Sequence, residues 1–248
     1  MTRYRLTLEY DGTDFVGWQR QDSGPSIQAA LEAAIEAFTG QEVRTVAAGR
    51  TDSGVHASGQ VVHAEIARPS DARIVRLALN HHLKPLAIAV VDAEPVGDSF
   101  HARFSALRRH YRYRILNRPA PSALERHLVW WVPLPLDLDA MEEAAALLQG
   151  HHDFTSFRAA GCQAKSPVKT LEKLELQRHG EEIHLVLAAQ SFLHNQVRII
   201  AGTLKWIGSG RWSPDVIPEI LAAKDRSAAG PTAPPRGLCL TGVDYPDA

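Results

Sequence analysis

The order of periodic segments predicts an α+β protein made of two successive β-α-β-β-α-β halves, residues 1–104 and 105–248, with largely antiparallel sheets and a cleft between the halves. Three observations carry that expectation. A strand of period two opens each half, an amphipathic helix and two further strands follow it, and a second helix and a strand close the half. The 248 residues suffice for one large domain or two small ones.

In the first half, YRLTLEY sets Tyr4, Leu6, Leu8 and Tyr10 on one face of a strand, and Asp11-Gly12 breaks it. SIQAALEAAIEAFTG reads as a helix with Ser26 as its cap, Ile27, Leu31, Ile35 and Phe38 as its apolar stripe, and Gly40 as its stop. Strands are expected at 43–48 and 59–66. SDARIVRLALNHHL reads as a second helix, capped by Ser70 or Asp71, with Ile74, Leu77 and Ala78 inside, and LAIAVVDAEPV as a buried strand. In the second half YRYRIL is a strand, and DLDAMEEAAALLQG is a helix capped by Asp137 or Asp139 and stopped at Gly150. KTLEKLELQR and EIHLVLAAQ form a hairpin through His179-Gly180. SFLHNQVRIIAGTLKWIG is a long apolar helix starting at Ser191, SPDVIPEILAAKD a short one, and GLCLTGVDY the last strand. RSAAGPTAPPRG reads as a loop. Two such halves have the element order of ferredoxin-like units, and the cleft at their seam, near residues 98–108, is a common place for a site.

Composition is that of an ordinary globular protein, with 45% hydrophobic and 22% charged residues. Two cysteines, Cys162 and Cys239, fit a reducing compartment better than a disulfide scaffold, and the N-terminus lacks an apolar signal region. No apolar run is long enough for a membrane span, so a cytoplasmic protein is expected. The net charge of −1 does not announce a nucleic-acid binder. Residues 101–118 nevertheless hold six arginines, two histidines and no acid, which reads either as a solvated basic strand or as a phosphate-contacting strip with interleaved aromatics.

The segment AAGRTDSGVHASGQ, residues 47–60, carries the chemistry. It lies between two expected strands and holds Arg50 two residues before Asp52 among three glycines. An Asp before Ser-Gly is ordinarily a turn former. Here the loop joins adjacent strands, and the nearby guanidinium favours an ionised carboxylate that can serve as nucleophile or base. Glycoside hydrolysis ordinarily needs a second carboxylate, and no other acid sits on an equally glycine-rich loop. Tyr111 and Tyr113 alternate with Arg112 and Arg114, so the rings share one face of a strand, as core or as a stacking surface for a base. Arg198 lies inside an apolar helix and either pairs with a carboxylate such as Asp52 or reaches the surface. Adjacent pairs His81-His82 and His151-His152 point about 100° apart on a helix. With no HExxH, CxxC or glycine-rich nucleotide motif, neither a metal nor a nucleotide cofactor is expected.

AAGRTDSGVHASGQ resembles the active-site loop of the TruA family of tRNA pseudouridine synthases. YDGTDFVGWQRQ with SIQAALEAAI, then SFHARFSALRRHYRYRI, HDFTSF, CQAKSPVKTL, SFLHNQVRIIAGTL and APPRGLCLTGVDY, are similar to that family's other motifs in the expected order, over nearly the whole chain. One departure is Gln196, where the family usually has methionine. The resemblance implies isomerisation of uridine to pseudouridine in the anticodon stem-loop of tRNA, at positions 38 to 40, by a homodimer without metal or cofactor. It implies Asp52 as the catalytic aspartate, Arg50 as its loop partner and Tyr111 as the active-site tyrosine. It further implies Arg198 as the basic residue pairing with the aspartate, and Leu240 or Leu238 as the apolar pocket residue on the last strand. A catalytically dead RNA-binding protein and a nucleoside hydrolase are the rival readings, separated from it by turnover and by release of free uracil.

Overall fold

The computed structural model describes residues 1–67 and 70–246. Its strands are β1 (Thr2–Tyr10), β2 (Val46–Ala47), β3 (His56–Ile66), β4 (Ile88–Pro95), β5 (Arg108–Asn117), β6 (Trp130–Val132), β7 (Gly150–Asp153), β8 (Val168–His179), β9 (Glu182–Ala189) and β10 (Leu238–Asp244). Its helices are α1 (Ile27–Thr39), α2 (Ala72–Leu83), α3 (Leu138–Leu148), α4 (Gln196–Gly208) and α5 (Val216–Ala223). The chain forms two compact units, one of Met1–Arg109 with Cys239–Ala248 and one of His110–Leu238. The α+β class expected from the segment order is the class observed, with mostly antiparallel pairing. Among the described residues, no helix is long and apolar enough to cross a membrane.

In the first unit β1 is central, antiparallel to both β3 and β4, and buries Tyr4, Leu6, Leu8 and Tyr10 as its alternation demands. β2 pairs antiparallel with the far part of β3, Val46 opposite His63. β3 starts at His56, three residues before the expected strand, because Ala57 already pairs with Tyr10 of β1 and Leu240 of β10. The β10 pairing is parallel, with Cys239 opposite His56. Ser26 caps α1 by accepting from Ala29 N, and Gly40 ends it at φ 74°. The apolar stripe of α1 is buried as expected, and so is Glu32 on its flank. The Glu32 carboxylate accepts from Thr45 N at 2.9 Å and Thr45 Oγ1 at 3.1 Å and lies 3.2 Å from Arg20. A buried acid so fully bonded fixes the approach to β2.

Two expectations fail here. α2, capped by Asp71, buries Val75, Leu79 and Leu83 and leaves Ile74 and Leu77 half exposed. The rotation is set by Asn80, whose amide donates to Val90 O at 2.9 Å and accepts from Val90 N at 2.8 Å, so a polar side chain faces the sheet edge. β4 is that edge, not a buried strand: the register shifts so that Thr7 faces Asp92 and Leu8 faces Val90, and Val91 bulges into solvent.

In the second unit the strand order is β5-β9-β8-β7, with β6 parallel to β5. β8 and β9 form the expected hairpin, His179 opposite Glu182. Asp137 caps α3, which buries Met141, Ala144, Ala145 and Leu148. β6 and β7 were not anticipated, being short and without alternation. α4 begins at Gln196 instead of Ser191. Residue Asn195 sits in the left-handed region at φ 61°, and Gln196 Oε1 turns back to accept from Leu193 N at 2.8 Å. The residues before it form a turn that brings Phe192 edge-on to Tyr111, with centroids 5.1 Å apart. Loop 226–237 is irregular apart from two single turns of 3-10 helix.

β5 alternates as expected, with Tyr111, Tyr113 and Ile115 on the core side. On the other side Arg114 grips Glu182 through Nε at 2.8 Å and Nη2 at 2.7 Å, and Nη2 also reaches Glu125 at 2.8 Å. His184 Nε2 lies 2.7 Å from the same Glu182 carboxylate. The bond from Arg114, helped by His184, holds the Glu182 carboxyl down at about 2 from its ordinary 4.5. A depressed carboxyl contributes stability above its unfolded value, and the contribution is lost as pH falls through the folded value. Glu182→Gln should therefore lower the melting temperature at pH 7 and remove part of the stability loss seen between about pH 4.5 and 2 in the parent. Parallel melting curves for the two proteins across that window check it.

Candidate active site

The Asp52 loop is held by its backbone and by residues between and around Arg50 and Asp52. Thr51 is buried, and its Oγ1 bonds Tyr10 OH at 2.8 Å while its carbonyl accepts from Trp18 N at 3.0 Å. Gln60, fully buried, donates to Gly49 O at 2.8 Å. Val55 N bonds Asp52 O at 3.1 Å and closes the turn. Segment 11–18 packs against the loop backbone to backbone: a Cβ on Gly12 would stand 2.1 Å from Val55 O, and one on Gly17, at φ 112°, 2.7 Å from Thr51 O. Gly12 N also donates to His56 Nδ1 at 3.1 Å. Pegged in this way, the loop leaves Arg50 exposed and Asp52 half-buried.

Arg109, which the sequence reading counted in the basic strip, is instead buried beside the Asp52 loop. It is 8% exposed, and its Nη2 donates at 2.7 Å both to Ala48 O, where the loop begins, and to Arg103 O. Nε reaches Ala48 O at 3.3 Å and Nη1 reaches Ala106 O at 3.2 Å. The signal was present in the parity of the strand, since positions 109, 111 and 113 share a side. Arg114 and Arg118 of the same strip are paired to acids.

Tyr111 and Arg198 lie in the second unit. Tyr111 is 9% exposed, against Phe192. Tyr113 beside it is fully buried and donates to Pro234 O at 2.8 Å; burial raises its phenol far above the ordinary range. Arg198 is partly buried on α4: Nε donates to Ala233 O at 2.8 Å and Nη1 to Asn195 Oδ1 at 2.7 Å, while its carbonyl accepts from Ala233 N at 3.0 Å. The guanidinium is thus oriented by the loop before β10. Leu240, in the first unit, is fully buried opposite Ala57, and Leu238 ends the second unit almost buried. The structure brings Arg50, Asp52 and Leu240 into one unit and Tyr111 and Arg198 into the other.

A methyl at Gly12 cannot enter without moving the Asp52 turn. Gly12→Ala should lower the melting temperature by several degrees, as for an overpacking cost of about 1–3 kcal/mol. Thermal melting of the variant beside the parent checks it.

A family model described as tRNA pseudouridine synthase matches residues 7–105 and 144–246; Asp52 and Arg198 fall within it and Tyr111 between its two segments. The chain is 58% identical over 245 residues to tRNA pseudouridine synthase A of Paramagnetospirillum magneticum, covering 99% of this chain and 96% of that protein. It is 55% identical over 247 residues to tRNA pseudouridine synthase A of Sinorhizobium fredii, covering 99% of this chain and 100% of that protein. The protein of that name in Rhodospirillum centenum is 58% identical over 245 residues, with 99% of this chain and 100% of that protein covered. Similarity of this extent, over a loop held as described, places the chain in the tRNA pseudouridine synthase family.

Proposed function

We propose that this chain isomerises uridine to pseudouridine in the anticodon stem-loop of tRNA, at one or more of positions 38 to 40, with Asp52 as the catalytic residue. The observation that carries the reading is the half-buried carboxylate of Asp52 on a loop pegged by Thr51, Gln60 and Arg109, in a member of this family. A uridine within a stem is out of reach, so it is flipped out before reaction. A carboxylate fixed in position then acts on it as nucleophile or base, and the rigidity of the loop supplies orientation in advance. Glycosidic carbon–nitrogen cleavage, rotation of the uracil and rejoining through carbon leave the mass unchanged. Arg50, exposed beside the aspartate, contacts phosphate or fills the gap the flipped base leaves. Tyr111 and Leu240 line the uracil pocket, and Arg198, oriented by Ala233 and Asn195, is the cation for the Asp52 carboxylate. The family resemblance supports a cytoplasmic homodimer that needs neither metal nor cofactor.

Asp52→Asn keeps size and capping oxygen but abolishes both nucleophile and base. The variant should fold, bind tRNA, and form no measurable pseudouridine in single turnover on an unmodified transcript mapped chemically. Substantial turnover by it would remove Asp52 from the mechanism. Release of free uracil by the parent protein would make the chain a hydrolase instead. For Tyr111, the Phe variant should bind RNA nearly as the parent does, whereas Ala should lose about 1–3 kcal/mol of binding to the flipped base. Loss of turnover in Phe with binding intact assigns the hydroxyl to the chemistry, and equal binding by Ala would rule out stacking.

A further inference from the structure

Among the described residues, Phe104 is the large aromatic that the fold leaves outside. It is 78% exposed, yet the turn that bears it is held by several hydrogen bonds. Its neighbour Ala102 is fully buried. Ala102 N donates to His63 Nδ1 at 3.1 Å, and Ala102 O accepts from Tyr245 OH at 2.7 Å. Burial, reinforced by His101 and Arg3, holds His63 down at about 4, so it is a neutral acceptor at physiological pH. Within the turn, His101 N donates to Ser105 Oγ at 3.0 Å and Ser105 N to His101 O at 2.9 Å. His101 Nδ1 accepts from Arg103 N and Phe104 N, each at 3.2 Å. Arg3 bonds Asp98 O and Phe100 O just upstream.

The exposed ring is also dressed for a particular kind of neighbour. The His101 ring stacks on it, with centroids 4.3 Å apart and planes 28° apart, and His101 in turn meets the His63 ring at 4.8 Å. The Arg103 guanidinium lies 5.8 Å from the Phe104 centroid. Leu107, 53% exposed, is another large apolar side chain exposed along this segment, and it carries no ring. A rigid ring, backed by a second ring and flanked by a guanidinium, suits a flat π-system carrying negative charge beside it, which is an unpaired nucleotide. The turn is tied to the Asp52 loop as well, because one nitrogen of Arg109 donates to both Arg103 O and Ala48 O.

We propose that Phe104, supported by His101 and Arg103, is a stacking platform for an unpaired base of the RNA substrate, separate from the flipped uridine. The inference rests on the reading of the chain as acting on tRNA. Every base offers a π-face, so the platform contributes affinity and register without reading sequence. It holds one nucleotide at a fixed place relative to the Asp52 loop, because both are bonded to the same guanidinium.

The test compares Phe104→Ala, Phe104→Leu and Phe104→Trp with the parent, using unmodified tRNA transcript for binding and pseudouridine formation. Melting temperatures and sedimentation are recorded for each. The ring is mostly solvated, so all variants should melt with the parent. Ala and Leu should bind tRNA roughly tenfold or more weakly, and Trp should bind within about twofold of the parent, as expected for stacking. Loss in Ala with full retention in Leu would make the contact merely apolar and overturn the proposal. So would parent-like binding and turnover by Ala, or an altered oligomeric state with tRNA affinity unchanged, which would assign the ring to contact between copies. Failure of the parent to form pseudouridine, with Ala still weakening RNA binding, would sink the catalytic reading while the platform stands.

Discussion

The guanidinium of Arg109 holds two segments of the first unit in one relation. Donor contacts from its Nε, Nη1 and Nη2 end on carbonyls of Ala48, Arg103 and Ala106, so the mouth of the Asp52 loop and the turn bearing Phe104 are fixed by a single buried group. A charged donor inside a protein is stable only when its hydrogens are answered, and a planar fork answers them only in a narrow geometry. Lysine offers no such fork. The position of the loop therefore depends on a residue that carries none of the proposed chemistry.

Around that anchor the site is built largely from main chain. Segment 11–18 and the Asp52 loop meet with no side chain between them at Gly12 and Gly17, and Thr51 fills the core while Arg50 stays exposed and Asp52 half-buried. Main-chain contacts have little rotamer freedom. A loop assembled from them keeps Arg50 and Asp52 within a small range of positions, which is what catalysis by orientation requires. On the second unit the same economy recurs: Arg198 receives its orientation from Ala233 through both its backbone and its side chain.

The basic run of residues 101–118 shows how far charge composition falls short of function. Arg109 is spent on carbonyls and Arg114 on Glu182 and Glu125, while Arg118 pairs with Glu181 at 2.8 Å. A near-neutral protein can thus hold an arginine-rich segment whose cations serve the fold first. What the proposed RNA contact can use is set by exposure, as at Arg103 in this run and at Arg50 in the Asp52 loop.

Elements whose determinants lie within one turn or one strand were legible in the sequence: α1 with its Ser26 cap and Gly40 stop, the alternation of β1 and β5, and the hairpin at His179-Gly180. The Asp52 loop was legible because its chemistry and its glycines are contiguous and match a family pattern. What tertiary structure alone decided rests on partners far apart along the chain. The face that α2 buries follows from Asn80 bonding Val90, and the start of α4 from a turn that seats Phe192 on Tyr111. The early start of β3 follows from the parallel approach of β10, and the role of Arg109 from a carbonyl 61 residues away. Periodicity records how a segment divides apolar from polar. It holds no record of which distant backbone group will answer a particular donor, and that is settled only when the two are packed together.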